Sequence, residues 1–145
     1  MNIILASQSP RRKELLSRMG LSGFKTISPD IDENLGGGLS PSELVSRLSA
    51  LKAQAVAERA GGDTLIIAAD TVVAVDGAVL GKPSDALEAF KMLSTLSGGR
   101  HQVYTGVTVL RGEERCTEYE VTDVSFRELS EREIEDYIRT GEPMD

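Results

Sequence analysis

The sequence predicts an α/β domain built on a mixed, twisted sheet flanked by helices, and three observations lead there. Apolar runs of strand length alternate along the chain with segments of helical spacing. Asp76-Gly77 separates residues 72–75 from Val79-Leu80, a hairpin signal that brings antiparallel pairing into the sheet. The 145 residues, 40% of them hydrophobic, suffice for one compact domain with its own core but not for two ordinary ones.

The elements follow in order. Residues 2–5 form a short apolar strand. Ser9 is a good N-cap and Pro10 suits the first helical position, which predicts a helix over 10–19. Arg11, Arg12 and Lys13 fall in its first turn, where each cation opposes the helix dipole by about 0.3–1 kcal/mol. A helix tip that carries them is a candidate phosphate site; a solvated basic turn is the alternative. Residues 24–28 read as a second strand, followed by an acidic, Gly-rich loop over 29–38. Ser40-Pro41-Ser42-Glu43 is a capping box opening a helix with Leu44, Leu48, Leu51 and Ala55 at helical spacing, closed by Gly61-Gly62. The continuous apolar run at 65–69 suits a strand buried on both faces. Asp85 with Glu88 repeats the capping-box pattern before a helix closed by Gly98-Gly99. Two β-rich runs, 102–110 and 118–126, flank a charged turn at 111–115, and Ser130 with Glu133 caps a last helix that stops near Gly141-Glu142-Pro143.

Composition excludes several functions. A net charge of -7 and a pI near 4.8 lack the basic footprint of a nucleic-acid binder. A small anion remains open to a local basic cluster, because screening acts over about 8 Å at physiological salt. Cys116 is the single cysteine and His101 the single histidine. That rules out an internal disulfide and a multi-cysteine or multi-histidine metal site and fits a reducing compartment. Both residues are assigned to structure. With no secretory h-region and no apolar run of transmembrane length, the expectation is a cytoplasmic protein without a membrane partner.

Asp70 is the sharpest candidate for chemistry. It follows residues 65–69, at the end of a central strand, where open α/β sheets bind ligands; an Asp-Thr turn bonded to its own backbone is the alternative. Gly81-Lys82-Pro83 is not a P-loop, since Pro83 stands where the Mg²⁺-binding Ser or Thr belongs. Lys82 is read either as a point charge for phosphate or as an exposed turn lysine. Asp30, Asp32 and Glu33 offer the hard oxygen ligands Mg²⁺ prefers, or else a solvated acidic loop. Lys52, next to Leu51, either reaches inward along its stem or faces water.

The segments LASQSPRRKELL at 5–16, Asp32-Glu33, KAQAVA at 52–57, AADTVV at 68–73, LGKP at 80–83, LSGGRHQVYTG at 96–106 and GEPMD at 141–145 together resemble the Maf family of nucleoside triphosphate pyrophosphatases. The branch acting on dTTP and UTP is the most similar. Its sibling acting on 7-methyl-GTP carries tryptophan and glutamine where this chain has Pro10 and Thr71. The resemblance implies cleavage between the α- and β-phosphates, giving monophosphate and pyrophosphate with a divalent cation, Mg²⁺ or Mn²⁺. It implies Asp70 as proton acceptor, Arg12 and Thr71 as part of base selection, and Ser7, Ser9, Glu33, Lys52 and Lys82 around the cleft. From charge and the helix opening, Ser9, Arg12, Lys52 and Lys82 are expected at the substrate phosphates, and Glu33 and Asp70 at the metal. It further implies two lobes around a cleft, a fold similar to inosine triphosphate pyrophosphatases, a homodimer, and activity extending to modified pyrimidine nucleotides. The family pattern continues past Gly-Glu-Pro-x-Asp into a segment whose glutamine is tied to base selectivity. Residues 1–145 are therefore expected to be a single Maf-like domain lacking its C-terminal part. The rival function is a nucleotide-binding regulator of septum formation without turnover.

Overall fold

The computed structural model describes residues 2–35 and 37–141. Its elements are β1 (Asn2–Leu5), α1 (Pro10–Arg18), β2 (Lys25–Thr26), α2 (Pro41–Arg59), β3 (Thr64–Val75), β4 (Ala78–Leu80), α3 (Ala86–Leu96), β5 (Arg100–Arg111), β6 (Glu114–Ser125) and α4 (Glu131–Arg139). The strands form one sheet in the order β2-β1-β3-β5-β6, with β4 also on β3. β1 runs parallel to both β2 and β3, whereas β4 is antiparallel to β3. Parallel neighbours need crossovers, and α1 and α2 supply them. The expected α/β class with a mixed sheet is what the chain forms. Two compact units divide it: one runs to Thr71 and resumes over Thr105–Glu120, the other holds Val72–Tyr104 and resumes at Val121.

In the first unit, Ile4 and Ala6, Ile66 and Ala68, Leu110, and Ala53 and Val56 of α2 make one core. The face that α2 buries is Val45, Leu48, Ser49, Lys52, Ala53 and Val56. Only Leu48 of the expected leucine stripe belongs to it, and Leu51 is 42% exposed. Close approach explains the difference. A Cβ built on Gly106 of β5 would collide with the Val45 carbonyl, so helix and sheet meet backbone to backbone and the inner face favours small or β-branched residues.

β3 also departs from expectation. It is a single 12-residue strand rather than a run over 65–69 followed by a separate hairpin strand. Burial alternates along it, with even positions from Thr64 to Asp70 buried and odd ones only partly so. The β-branched residues Thr71, Val72 and Val73 favour continued extension. The hairpin turn is as predicted, with positive φ at Asp76 (51°) and Gly77 (80°) as a two-residue I′ turn requires. The strand predicted at 24–28 shrinks to β2, and the turn predicted at 111–115 tightens to two residues with Gly112 at φ 61°.

In the second unit, Asp85 caps α3 by accepting from the Glu88 N–H at 2.8 Å. The reciprocal half of the predicted box is missing, because Glu88 accepts from the Ser84 N–H instead. Ser130 and Glu133 do form a full capping box on α4, which packs on α3. His101 is buried and meets Phe126 edge-on, with ring centroids 4.8 Å apart, as a structural residue would. Cys116 is exposed on β6. Among the described residues no helix is long and apolar enough to cross a membrane. Of the GEPMD motif, only Gly141 lies within the described residues.

Candidate functional site

Asp70 sits inside β3, not at its end. The strand that ends there is β1, whose pairing stops at Leu5 with Ile67 before the chain turns through Ser7 and Ser9 into α1. β3 therefore extends past its parallel neighbour, and Asp70 keeps the strand-end environment that the sequence suggested. Strand alternation sends its side chain to the face of Ile66 and Ala68, beneath α2, where the residue is 7% exposed.

Lys52 reaches inward from that helix. Its Nζ donates to Asp70 Oδ1 at 2.8 Å and lies 3.0 Å from Glu33 Oε1. One buried ammonium thus ties a loop carboxylate to a strand carboxylate. Burying either charge alone would be costly, and the pairing is what makes both tolerable. Asp70 Oδ2 is buried too, with no hydrogen-bond partner among the described residues, so its acceptor capacity is open to a ligand.

Arg12 approaches the same stretch of β3 from α1. Its Nη1 donates to the Ala69 carbonyl at 3.0 Å and its Nη2 to Thr71 Oγ1 at 3.4 Å, the residues on either side of Asp70. Ser9 caps α1 by accepting from the Arg12 N–H, and Ser7 Oγ accepts from the Ser9 N–H. The guanidinium thus leaves the positive helix tip and rests on carbonyl and hydroxyl oxygens, whereas Arg11 and Lys13 are exposed.

Seven expected site residues, Ser7, Ser9, Arg12, Glu33, Lys52, Asp70 and Thr71, belong to this first unit. Lys82 belongs to the second, exposed just after β4. Among the described residues of the acidic loop, only Glu33 joins the cluster. Asp30 accepts from Ser28 Oγ and pairs with Arg59, and Asp32 accepts from the Asn34 N–H, so both serve the loop itself.

Two polar groups escaped the sequence. Thr105 of β5 places its hydroxyl 3.1 Å from that of Thr71. Ser49 of α2 contacts Thr108 at 2.8 Å, and Thr108 contacts Thr117 at 2.9 Å, which pins α2 to the sheet three residues before Lys52. Neither grouping has a local signal, because strand pairing and helix docking create both.

Among the described residues no group of three or more His, Cys, Asp or Glu could hold a metal ion. Glu33 and Asp70 offer two carboxylates, and Asp70 Oδ2 is an unpartnered buried oxygen. That donor set suits Mg²⁺, which binds through one or two carboxylates, waters and substrate phosphates rather than a full protein cage.

Comparison with known proteins adds the following. The Maf family, described as Maf-like protein, matches residues 2–145. A Symbiobacterium thermophilum protein named dTTP/UTP pyrophosphatase is 50% identical over 143 residues, covering 99% of this chain and 73% of the relative. A Bacillus cereus protein of the same name is 48% identical over 143 residues, covering 99% and 74%. Among solved structures, a HAM1 protein from Coxiella burnetii aligns with TM-score 0.60 at 18% identity, over 86% of this chain and 72% of that one. A nucleoside-triphosphatase / dITP/XTP pyrophosphatase from Mycobacterium abscessus aligns with TM-score 0.55 at 21% identity, over 86% and 74%. At such identities these two structures bear on the fold alone.

Proposed function

This chain belongs to the Maf family, and we propose that it hydrolyses nucleoside triphosphates, dTTP and UTP foremost and modified pyrimidine nucleotides with them, to the nucleoside monophosphate and pyrophosphate. One observation carries this most directly: a buried aspartate with one oxygen fixed by Lys52 and the other open, in a chain 50% identical to a protein named dTTP/UTP pyrophosphatase.

The physical task is to bring water to a polyanion and to stabilise charge on the departing pyrophosphate, which is work for positioning and electrostatics. Asp70 Oδ2 takes a proton from the attacking water, a role that typically contributes about 10²–10⁴-fold. Lys52 holds the other oxygen in place and sets positive charge beside the phosphates. The α1 tip at Ser7 and Ser9 faces the phosphate chain, since free helix N–H groups favour anions. Arg12 and Thr71 face the base. For Lys82 the family motif alone supports a phosphate contact. Glu33 would hold a divalent cation, Mg²⁺ or Mn²⁺, together with phosphate oxygens; in the alternative role Asp70 Oδ2 is a ligand of that ion instead of the base, and rescue of Asp70→Asn turnover by added metal would show it. When bound, that ion would polarise the scissile phosphoryl group. A cytoplasmic location rests on the lone cysteine, and homodimerisation on the resemblance alone.

Incubation with dTTP, UTP and the purine triphosphates in the presence of Mg²⁺ tests the reaction. Pyrophosphate and monophosphate are the expected products, fastest from dTTP and UTP. Orthophosphate with diphosphate would rule out the cleavage, and binding without turnover would favour the regulatory role.

A further inference from the structure

Thr105 is a side chain beside the site that the reaction above leaves unused. Strand alternation on β5 puts Gly106 and Thr108 on the α2 side, against Val45 and Ser49, so Thr105 extends from the opposite face. Thr71, adjacent to Asp70 on β3, extends from that face too. The two hydroxyl oxygens are 3.1 Å apart; Thr105 is half-buried and Thr71 exposed, so a ligand can reach the pair.

The direction of that hydrogen bond matters. A hydroxyl oxygen accepts through two lone pairs and donates one proton. Arg12 has donors only, so its Nη2, 3.4 Å away, occupies one lone pair of Thr71. If Thr105 donates to Thr71, the second lone pair is filled and the Thr71 proton is left for a ligand. If Thr71 donates to Thr105, a lone pair is left instead. We propose that Thr105 is a specificity-determining residue: its hydroxyl donates to Thr71, so that Thr71 meets the nucleotide base as a donor and favours a carbonyl oxygen over an amino group. The proposal rests on the assignment of Arg12 and Thr71 to the base. At C4, uracil and thymine carry a carbonyl and cytosine an amino group. The Arg12 guanidinium, also without an acceptor, discriminates in the same direction. A site of donors facing an amino group leaves polar groups unpaired, the arrangement that rejects an analogue most strongly.

Equilibrium binding of the non-hydrolysable α,β-methylene analogues of UTP and CTP to the unmodified protein, Thr105→Val and Thr105→Ser provides the test. Thr105→Val keeps the shape and removes the donor, so the preference for the UTP analogue should fall about tenfold, with weaker UTP binding and tighter CTP binding. Thr105→Ser keeps the hydroxyl and should retain the preference. An unchanged ratio in Thr105→Val overturns the proposal. So does an equal fall in both variants, which would mean packing, and so does an unmodified protein with no preference between the two analogues. Turnover of UTP is followed in parallel. A protein that prefers the UTP analogue yet releases no pyrophosphate sinks the proposed reaction, while the binding ratios still decide the role of Thr105.

Discussion

The Lys52–Asp70 pair of the first unit and the Arg127–Glu133 pair of the second join the same kinds of group in opposite surroundings. Lys52 and Asp70 have side chains only 9% and 10% exposed; Arg127 and Glu133 are 71% and 41% exposed. The buried pair spans 18 positions and links a helix to a strand, while the exposed one spans six around the start of α4. Water screens Arg127–Glu133 and competes for both partners, so its geometry fixes a helix end and little more. Asp70 has no such alternative and depends on Lys52 for charge compensation, while Lys52 also has Glu33 at 3.0 Å. Burial, not ion-pair geometry, separates the pair proposed for catalysis from a surface tie.

Removal of single partners is the strongest way to break this contrast. Asp70→Asn should fold, because Lys52 keeps Glu33 at 3.0 Å, yet lose about 10²–10⁴-fold in turnover. Lys52→Met leaves a buried carboxylate unpaired and should cost about 3–5 kcal/mol of stability in urea unfolding, with turnover lost as well. A Lys52→Met protein as stable as Arg127→Met would show that burial does not distinguish the pairs. Gly106→Val comes next. The added side chain meets the Val45 and Ser46 backbone rather than a flexible side chain, so the loss should reach the upper end of about 1–3 kcal/mol. Because α2 carries Lys52, the urea midpoint and turnover should fall together.

The same contrast marks what was legible in the sequence. Signals a few residues long were reliable: Ser40 with Glu43, Ser130 with Glu133, and Asp76-Gly77 all formed as their local chemistry dictates. Asp85 with Glu88 half-failed, because Ser84 offered a competing N–H. Asp70 was identifiable as a charge closing an apolar run, and Arg12 as a cation at an unfavourable helix position. Lys52 was ambiguous, since leucine spacing pointed to the wrong face of α2; the bare Gly106 backbone selects the true face. Glu33 could not be told from Asp30 and Asp32 by residue type, and Thr105 depends on which strand lies beside β3. These choices are made by contacts between distant segments, for which one sequence carries no local mark.

His101 sharpens the comparison at smaller scale, as a buried group of the second unit without a charge partner among the described residues. Burial lowers its pKa from 6.5, and Nδ1 has no hydrogen-bond partner among the described residues. The unfolded chain therefore takes up a proton at higher pH than the folded one. The neutral ring's contribution is fully present above 6.5 and is lost as pH falls through the lowered folded value. Melting temperatures from about pH 8 to about pH 5 should fall for the unmodified protein. Across that window the decline should be shallower for His101→Phe, and parallel curves would mean that the histidine titrates alike folded and unfolded.

Glu133 gives the smallest effect and the sharpest readout. Hydrogen bonds from Arg127 first, then from the Ser130 backbone N–H, lower its pKa from 4.5 to about 2. A depressed carboxylate contributes stability above its unfolded pKa and loses it as pH falls through the folded value, so the window runs from 4.5 down to about 2. A carbon-13 titration of the Glu133 carboxyl should show its midpoint near that lower value. Arg127→Met should move the midpoint only part of the way back, because the capping N–H of Ser130 remains. By linkage, the part of the shift that Arg127→Met removes should also be lost from stability at neutral pH, and solvation of both groups should keep that loss below the loss from Lys52→Met. A loss confined to the titration of one solvated carboxylate is what separates this pair from Lys52–Asp70, where loss of the cation is expected to unbalance the core itself. If Arg127→Met proved as destabilising as Lys52→Met, the helix end would be a structural keystone, and the buried pair would lose its distinction as the place where charge is both costly and useful.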